Sequence, residues 1–211
     1  MRKVLPLLLI IFPLALSVPK SSHAALEMGI ALGDEGIRSF YLAVGDYYRV
    51  PEPTVIAISK KRVRDDELPV VFFIAQRARV SPSVIVDLRL RGTSWWDISL
   101  RYGIGPEVYY VPVKVVKVGP PYGKAYGYYK KWPRHRWHEI RLVDADIINL
   151  VNLRFMSEYH ALSPEYVMEL RSGGSDFKTI HVKAEKEKKG KGPKEGKGNG
   201  NGKGHGKGKK N

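Results

Sequence analysis

The 211-residue chain has no cysteine. That excludes disulfides, thiolate metal sites, a thiol nucleophile and the lipid-bearing cysteine of a lipoprotein. Long apolar runs are also missing. The longest, Val4–Val18, spans about fifteen residues and is broken by Pro6 and Pro13. It falls short of the roughly 20 residues needed to cross a bilayer. Local catalytic signatures are absent: there is no G-x-S-x-G, no P-loop, no G-x-G-x-x-G and no H-E-x-x-H. The "HEIR" at His138 lacks the second histidine.

What the ends contain is more specific. Arg2 and Lys3 precede the apolar run, and Ser22-His23-Ala24 follows it. A positive start, a short apolar core and small residues at −3 and −1 predict a secretory signal peptide over 1–24. The mature chain is then periplasmic or extracellular, with no transmembrane span. A retained anchor is the alternative. At the other end, residues 184–211 are rich in Gly, Lys and Asn and almost free of apolar side chains. Such a segment buries too little surface to offset its ordering entropy, which predicts disorder.

The formal charge of +15 is unevenly spread. Residues 1–24 carry +3 and residues 183–211 carry +8, leaving +4 for the part between. The basic tail suggests attraction to polyanions such as nucleic acid, anionic lipid, lipopolysaccharide or acidic polysaccharide, the alternative being a solubilising tail with no fixed partner.

The middle of the chain repeats itself. "VSPSVIVDLRLRGTSWWDI" (Val80–Ile98) and "LSPEYVMELRSGGSDFKTI" (Leu162–Ile180) align without a gap at a spacing of 82. Ser81 and Ser163 stand where helix N-caps belong, and Pro82 and Pro164 suit the first helical turn. Gly92 and Gly174 end the helices. Apolar helical patterns precede both copies: "LPVVFFIAQRAR", and "DIINLVNLRFMSEYHA" with Asp146 as its N-cap. Weaker copies start at Val50 and Ile104. The expected fold is mainly α: one domain over 25–183, built of seven or eight short helices in helix-turn-helix repeat units. Arg89 and Arg171, at equivalent places, are expected to hold helix C-terminal carbonyls or a carboxylate. Trp95 and Trp96 are expected in the core.

Between the repeats lies an insertion, about 112–141. Its charge from Lys114 to Arg141 is +7, more than the folded part as a whole. The start, "VPVKVVKVG", suggests an extended strand. The rest, "GPPYGKAYGYYKKWPRHRW" (Gly119–Trp137), reads as an irregular long loop punctuated by Gly and Pro. Aromatic and basic side chains in one loop can stack on rings and pair with phosphate or carboxylate. The candidate ligand-binding residues are therefore Tyr122, Lys124, Tyr126, Tyr128, Tyr129, Lys130, Lys131, Trp132, Arg134, Arg136 and Trp137. The competing reading packs the tyrosines on the helical core. His135, His138 and Glu139 could hold a metal if helical, but Arg134 and Arg136 disfavour a cation there. No metal site or cofactor is assigned.

The runs "RVSPSVIVDLRLRGTSWWDISLRYG", "GPPYGKAYGYYKKW" and "GKGHGKGKK" together resemble uncharacterised exported proteins of environmental bacteria. The resemblance covers nearly the whole chain and implies no activity.

The sequence thus points to an exported, non-enzymatic binding protein that meets an anionic polymer or anionic membrane surface. Two alternatives stay open. One is a periplasmic enzyme acting on a polymer, its carboxylates drawn from Asp87, Asp97, Asp144 and Asp146. The other is a helix-turn-helix nucleic-acid binder, if the signal peptide is misread. Export argues against nucleic acid as the partner.

Overall fold

Asp34 and Glu35 open the first helix, α1 (Asp34–Tyr48), where acidic side chains suit the N-terminal dipole. Its core face is Phe40, Ala43, Val44 and Tyr48, at helical spacing. α2 (Glu52–Ser59) follows after a tight turn, and a short 3₁₀ turn (Asp65–Glu67) leads into α3 (Leu68–Ala78). α3 is buried from Leu68 to Ala75, so it runs through the core rather than over it. Then come α4 (Pro82–Leu90), α5 (Trp95–Arg101) and a 3₁₀ turn (Pro106–Tyr109). α6 (Gly123–Lys131) and a further 3₁₀ turn (Arg134–Glu139) precede the long α7 (Asp144–His160). α8 (Pro164–Ser172) and α9 (Phe177–Gly190) complete the order. The structure, a computed structural model, describes residues 33–114 and 119–190.

The two most buried helices, α3 and α7, pack against each other. α4 lies on α3 and α8 on α7. α1 covers α3 and α7 from one side, and α9 seals the seam between α1, α7 and α8. The mainly α expectation holds, and the described residues contain no strand.

One turn recurs. Arg79 and Ala161, 82 residues apart, both take the left-handed conformation, with φ of 55° and 54°. After each, the next amide reaches back to the helix: Val80 N donates to Ala75 O at 3.1 Å, and Leu162 N to Ser157 O at 3.1 Å. These bonds satisfy carbonyls that the ending helix leaves open. Ser81 and Ser163 then cap the following helix, and Pro82 and Pro164 begin it. Gly92 and Gly174 have φ of 86° and 94°, which an L side chain adopts only with strain. The same reach-back closes α1, where Val50 N donates to Gly45 O at 2.8 Å, and α5, where Ile104 N donates to Ser99 O at 2.9 Å. After Gly92 and Gly174 the same bond forms to Leu88 O and Leu170 O, so the reached residue need not be small. At Gly45 it must be, because an added Cβ would stand 2.8 Å from Val55 Cγ2 and 3.0 Å from Val50 O.

Three expectations need correction. The insertion is not irregular or extended throughout, because Gly123–Lys131 is α-helical. Residues 111–114 form no strand, and 115–118 lie outside the described residues. The tail does not become disordered at 184. α9 continues to Gly190, because Ala184 is buried and Glu187 accepts a hydrogen bond from the Tyr166 hydroxyl. The N-cap of α7 is Val143 rather than Asp146. The Asp146 carboxylate instead reaches back to Val143 N at 3.1 Å. The signal-peptide segment and the tail beyond Gly190 lie outside the described residues.

Candidate functional site

α6 divides the suspected residues into two sets. Tyr122, Ala125, Tyr126 and Tyr129 follow the i, i+3, i+4, i+7 spacing of one helix face, and all are buried. The Tyr126 hydroxyl donates to Val111 O at 2.7 Å and the Tyr129 hydroxyl to Pro106 O at 2.6 Å. Trp137 Nε1 donates to Trp132 O at 2.9 Å and to Tyr129 O at 3.2 Å. Tyr110 lies 5.1 Å from Tyr129 and 4.7 Å from Trp137, ring centre to ring centre. Burial pushes the Tyr122, Tyr126 and Tyr129 phenols well above their ordinary range. These hydroxyls stay protonated; those of Tyr126 and Tyr129 donate to the scaffold, and that of Tyr122 is buried without a hydrogen-bond partner. Tyr122, Tyr126, Tyr129 and Trp137 are thus the fastening of the segment, not its contact surface.

The other set faces out. Lys124, Lys130, Lys131, Arg134 and Arg136 are exposed, and Tyr128 and Trp132 are half-buried. Trp132 is flanked by cations: the Arg136 guanidinium carbon is 4.2 Å from its ring centre and Lys131 Nζ is 5.6 Å away. Arg134 stands 5.3 Å from the Trp137 ring. Arg136 also clasps Glu139 through two bonds of 2.6 Å. Among the described residues, Lys124, Lys130, Lys131 and Arg134 have no carboxylate within ion-pair distance. This arrangement gives an aromatic edge in a cationic rim, held on a rigid helix.

The carboxylates suspected of catalysis are otherwise engaged. Asp144 accepts from Arg89 at 2.6 Å and from Trp95 N at 2.7 Å. Asp97 accepts from the Ser94 hydroxyl at 2.7 Å, and Asp87 lies 3.9 Å from Lys61. A cavity of about 240 Å³ is lined by Asp65, Asp66 and Asp176. There Asp65 takes Lys178 at 2.6 Å and Tyr41, Asp66 takes Arg64, and Asp176 accepts from Thr179 N. Each carboxylate in that cavity therefore already has a hydrogen-bonded partner.

Arg89 and Arg91 stand near the end of the helix that a nucleic-acid binder would use for recognition; Arg91 is exposed, but Arg89 is committed to the core. It donates to buried Glu67 at 2.5 and 3.1 Å, and to Thr93 O at 3.3 Å. The guanidinium also lies 4.7 Å from the Trp95 ring centre, and Trp95 Nε1 donates to the same Glu67 at 3.0 Å. Arg171 repeats the pattern, donating to Ser175 O at 3.2 Å and lying 5.0 Å from the Phe177 ring centre. Arg89 and Arg171 both hold a carbonyl of the turn beyond their helix rather than one of its last carbonyls, and Arg89 meets the expected neighbouring carboxylate, Glu67, and Asp144 as well. Neither is placed to read a base edge.

His135 and His138 are exposed and Glu139 belongs to Arg136, so these three do not gather as ligands. A different imidazole pair does come together. His160 ends α7 and His181 lies on α9, with His160 Nε2 3.0 Å from His181 Nδ1. Both rings are buried. Burial lowers both pKa values, that of His160 to about 4. Sequence reading had not linked them, because 21 residues and a turn separate them. The i, i+4 spacing of His181 and Glu185 was the available signal.

No helix among the described residues is long and apolar enough to cross a membrane. No protein-family model, no curated protein and no solved structure matches the chain.

Proposed function

We propose that the chain is an exported, non-enzymatic binding protein of the cell envelope. It meets an anionic polymer or anionic membrane surface through the outward face of α6 and the 3₁₀ turn after it. The observation that carries this reading is the segregation within residues 122–137. Tyr122, Tyr126, Tyr129 and Trp137 are turned in, the last three hydrogen-bonded to the scaffold, while five cations and the Trp132 edge are turned out. Among the described residues, only Arg136 of the five has a carboxylate partner, Glu139; cations on one face without carboxylates repel each other, and an arriving anion relieves that repulsion. An indole among them adds a flat apolar contact for a sugar ring or a lipid glycerol region. The basic tail adds attraction without fixed geometry.

The scaffold is read as a duplication, its two units spanning 68–101 and 150–183 with the cationic segment inserted between them. The matching caps, turns and arginine contacts at a spacing of 82 support that reading. A duplicated core gives the segment a rigid mount and asks no chemistry of it.

The test is co-sedimentation with lipopolysaccharide and with phosphatidylglycerol vesicles. The variant Lys124→Gln/Lys130→Gln/Lys131→Gln/Arg134→Gln/Arg136→Gln is compared with the unaltered chain. The expected result is a loss of binding with unchanged helicity. Equal binding by both would remove α6 from the account. Retention only on duplex DNA would favour the nucleic-acid alternative.

A further inference from the structure

His181 and Glu185 sit one turn apart on α9, so that helix presents an imidazole and a carboxylate side by side. Facing them is His160, the last residue of α7. His160 Nδ1 lies 3.4 Å from Glu185 Oε1, and its Nε2 lies 3.0 Å from His181 Nδ1. One potential ligand atom from each of the three side chains lies within 4.8 Å of the other two. The far nitrogen of His181, Nε2, is 2.9 Å from Ser39 Oγ on α1. Three helices therefore converge on one small polar point inside an otherwise apolar seam.

The second observation is an orphan. His160 Nδ1 is shut off from solvent and has no hydrogen-bond partner. It is one of five such atoms among the described residues and the only one beside a second imidazole and a carboxylate; leaving it unpaired costs about 1–3 kcal/mol, which calls for an explanation. Ligation of an ion would supply that explanation. Two ligands bonded at about 2.0–2.1 Å to a tetrahedral zinc-type ion stand about 3.3 Å apart. The 3.4 Å between His160 Nδ1 and Glu185 Oε1 fits that spacing. His181 enters through Nδ1 once its ring turns away from His160 Nε2, to which that nitrogen is hydrogen-bonded in the absence of an ion. Its Nε2–H then donates to Ser39 Oγ, the outer hydrogen bond that ligating histidines make.

We propose that His160, His181 and Glu185 form a binding site for a divalent transition-metal ion of the zinc, cobalt or nickel class, with Ser39 orienting His181. Imidazole and carboxylate ligands suit these ions better than the oxygen-seeking Ca²⁺ or Mg²⁺. The site joins the end of α7 to α9 and α1, so its role is to lock the terminal helix down. One feature opposes the ion: Lys188 Nζ lies 3.9 Å from Glu185 Oε1. It also reaches Tyr159 O at 3.4 Å, which gives the ammonium a place to move when the ion enters.

The test uses the full chain stripped of metal with a chelator, then titrated with Co²⁺ by visible absorption and with Zn²⁺ by calorimetry. The expected result is one ion per chain in the folded region, with a four-coordinate Co²⁺ spectrum and a raised Tm. Glu185→Gln, a half-exposed position, should weaken binding by at least about 10-fold while its circular dichroism stays that of the unaltered chain. Ser39→Ala should weaken binding and Lys188→Met should tighten it. His205→Gln and the pair His135→Gln/His138→Gln should change nothing. Absence of a Co²⁺ spectrum and of Zn²⁺ heat overturns the proposal, leaving a plain hydrogen-bonded histidine pair. So does binding that survives Glu185→Gln but is lost with the tail or surface histidines.

Discussion

Half-buried Arg89 and buried Glu67 form an ion pair that ties α4 to the start of α3, with Glu67 only 5% exposed. At the equivalent positions 82 residues on, Arg171 Nε meets the neutral side chain of Asn149 at 3.3 Å. The same arginine thus works against a charge in one place and an amide in the other. Removing it should cost differently. Arg89→Met strands a carboxylate in the core and should destabilise by about 3–5 kcal/mol. Arg171→Met removes a hydrogen bond to a neutral group and should cost about 1–2 kcal/mol. Urea unfolding followed by circular dichroism measures both, and equal losses would contradict the asymmetry.

Gly45 lies where α2 crosses α1. A methyl group there meets Val55 Cγ2 at 2.8 Å and the Val50 carbonyl at 3.0 Å, and one of those neighbours is backbone. Gly45→Ala should therefore destabilise by about 1–3 kcal/mol, despite the better helix propensity of alanine. Gly92→Ala meets no neighbour within 4 Å, yet its φ of 86° makes it costly, by about 1 kcal/mol. Thermal melts of the two variants should rank Gly45→Ala as the less stable.

Asp65 predicts an acid limb. Burial alone would raise its pKa, but hydrogen bonds from Lys178 and Tyr41 outweigh that and bring it below the ordinary carboxylate value. A carboxylate depressed in the folded state contributes stability above its unfolded pKa. The contribution is lost as pH falls through the folded value. Chemical denaturation over a descending pH series should show the stability lost in Lys178→Met shrinking as pH falls below about 4, the ordinary carboxylate value. A loss of equal size across the series would show that Lys178 acts through packing alone.

The turns were legible because they are local. Ser81-Pro82, Ser163-Pro164, Gly92 and Gly174 each act within a few residues, so sequence placed their helices correctly. α6 was missed because its core face is made of tyrosines. Tyr122, Tyr126 and Tyr129 have the spacing of a helix face, but Tyr126 and Tyr129 count as apolar only once their hydroxyls find the Val111 and Pro106 carbonyls. Exposed Gly127 in mid-helix, a residue that weakens helices, hid the period further. Of the eleven suspected site residues, sequence could name the set but not divide it, because inward and outward are set by packing against Tyr110 and the Pro106–Tyr109 turn. The His160–His181 pair was not legible for a different reason. Its partners meet only after α9 folds back along α7.

The central claim is electrostatic, so the most direct measurement is the salt dependence of binding. Affinity for phosphatidylglycerol vesicles and for lipopolysaccharide is measured from low to high salt, for the unaltered chain and the five-fold α6 variant, each with and without residues 191–211. The account predicts affinity that falls steeply with salt in the unaltered chain, and a weaker, flatter dependence when the α6 cations are gone, whether or not the tail is present. Affinity that ignores salt, or an α6 variant indistinguishable from the unaltered chain in the absence of the tail, would contradict it.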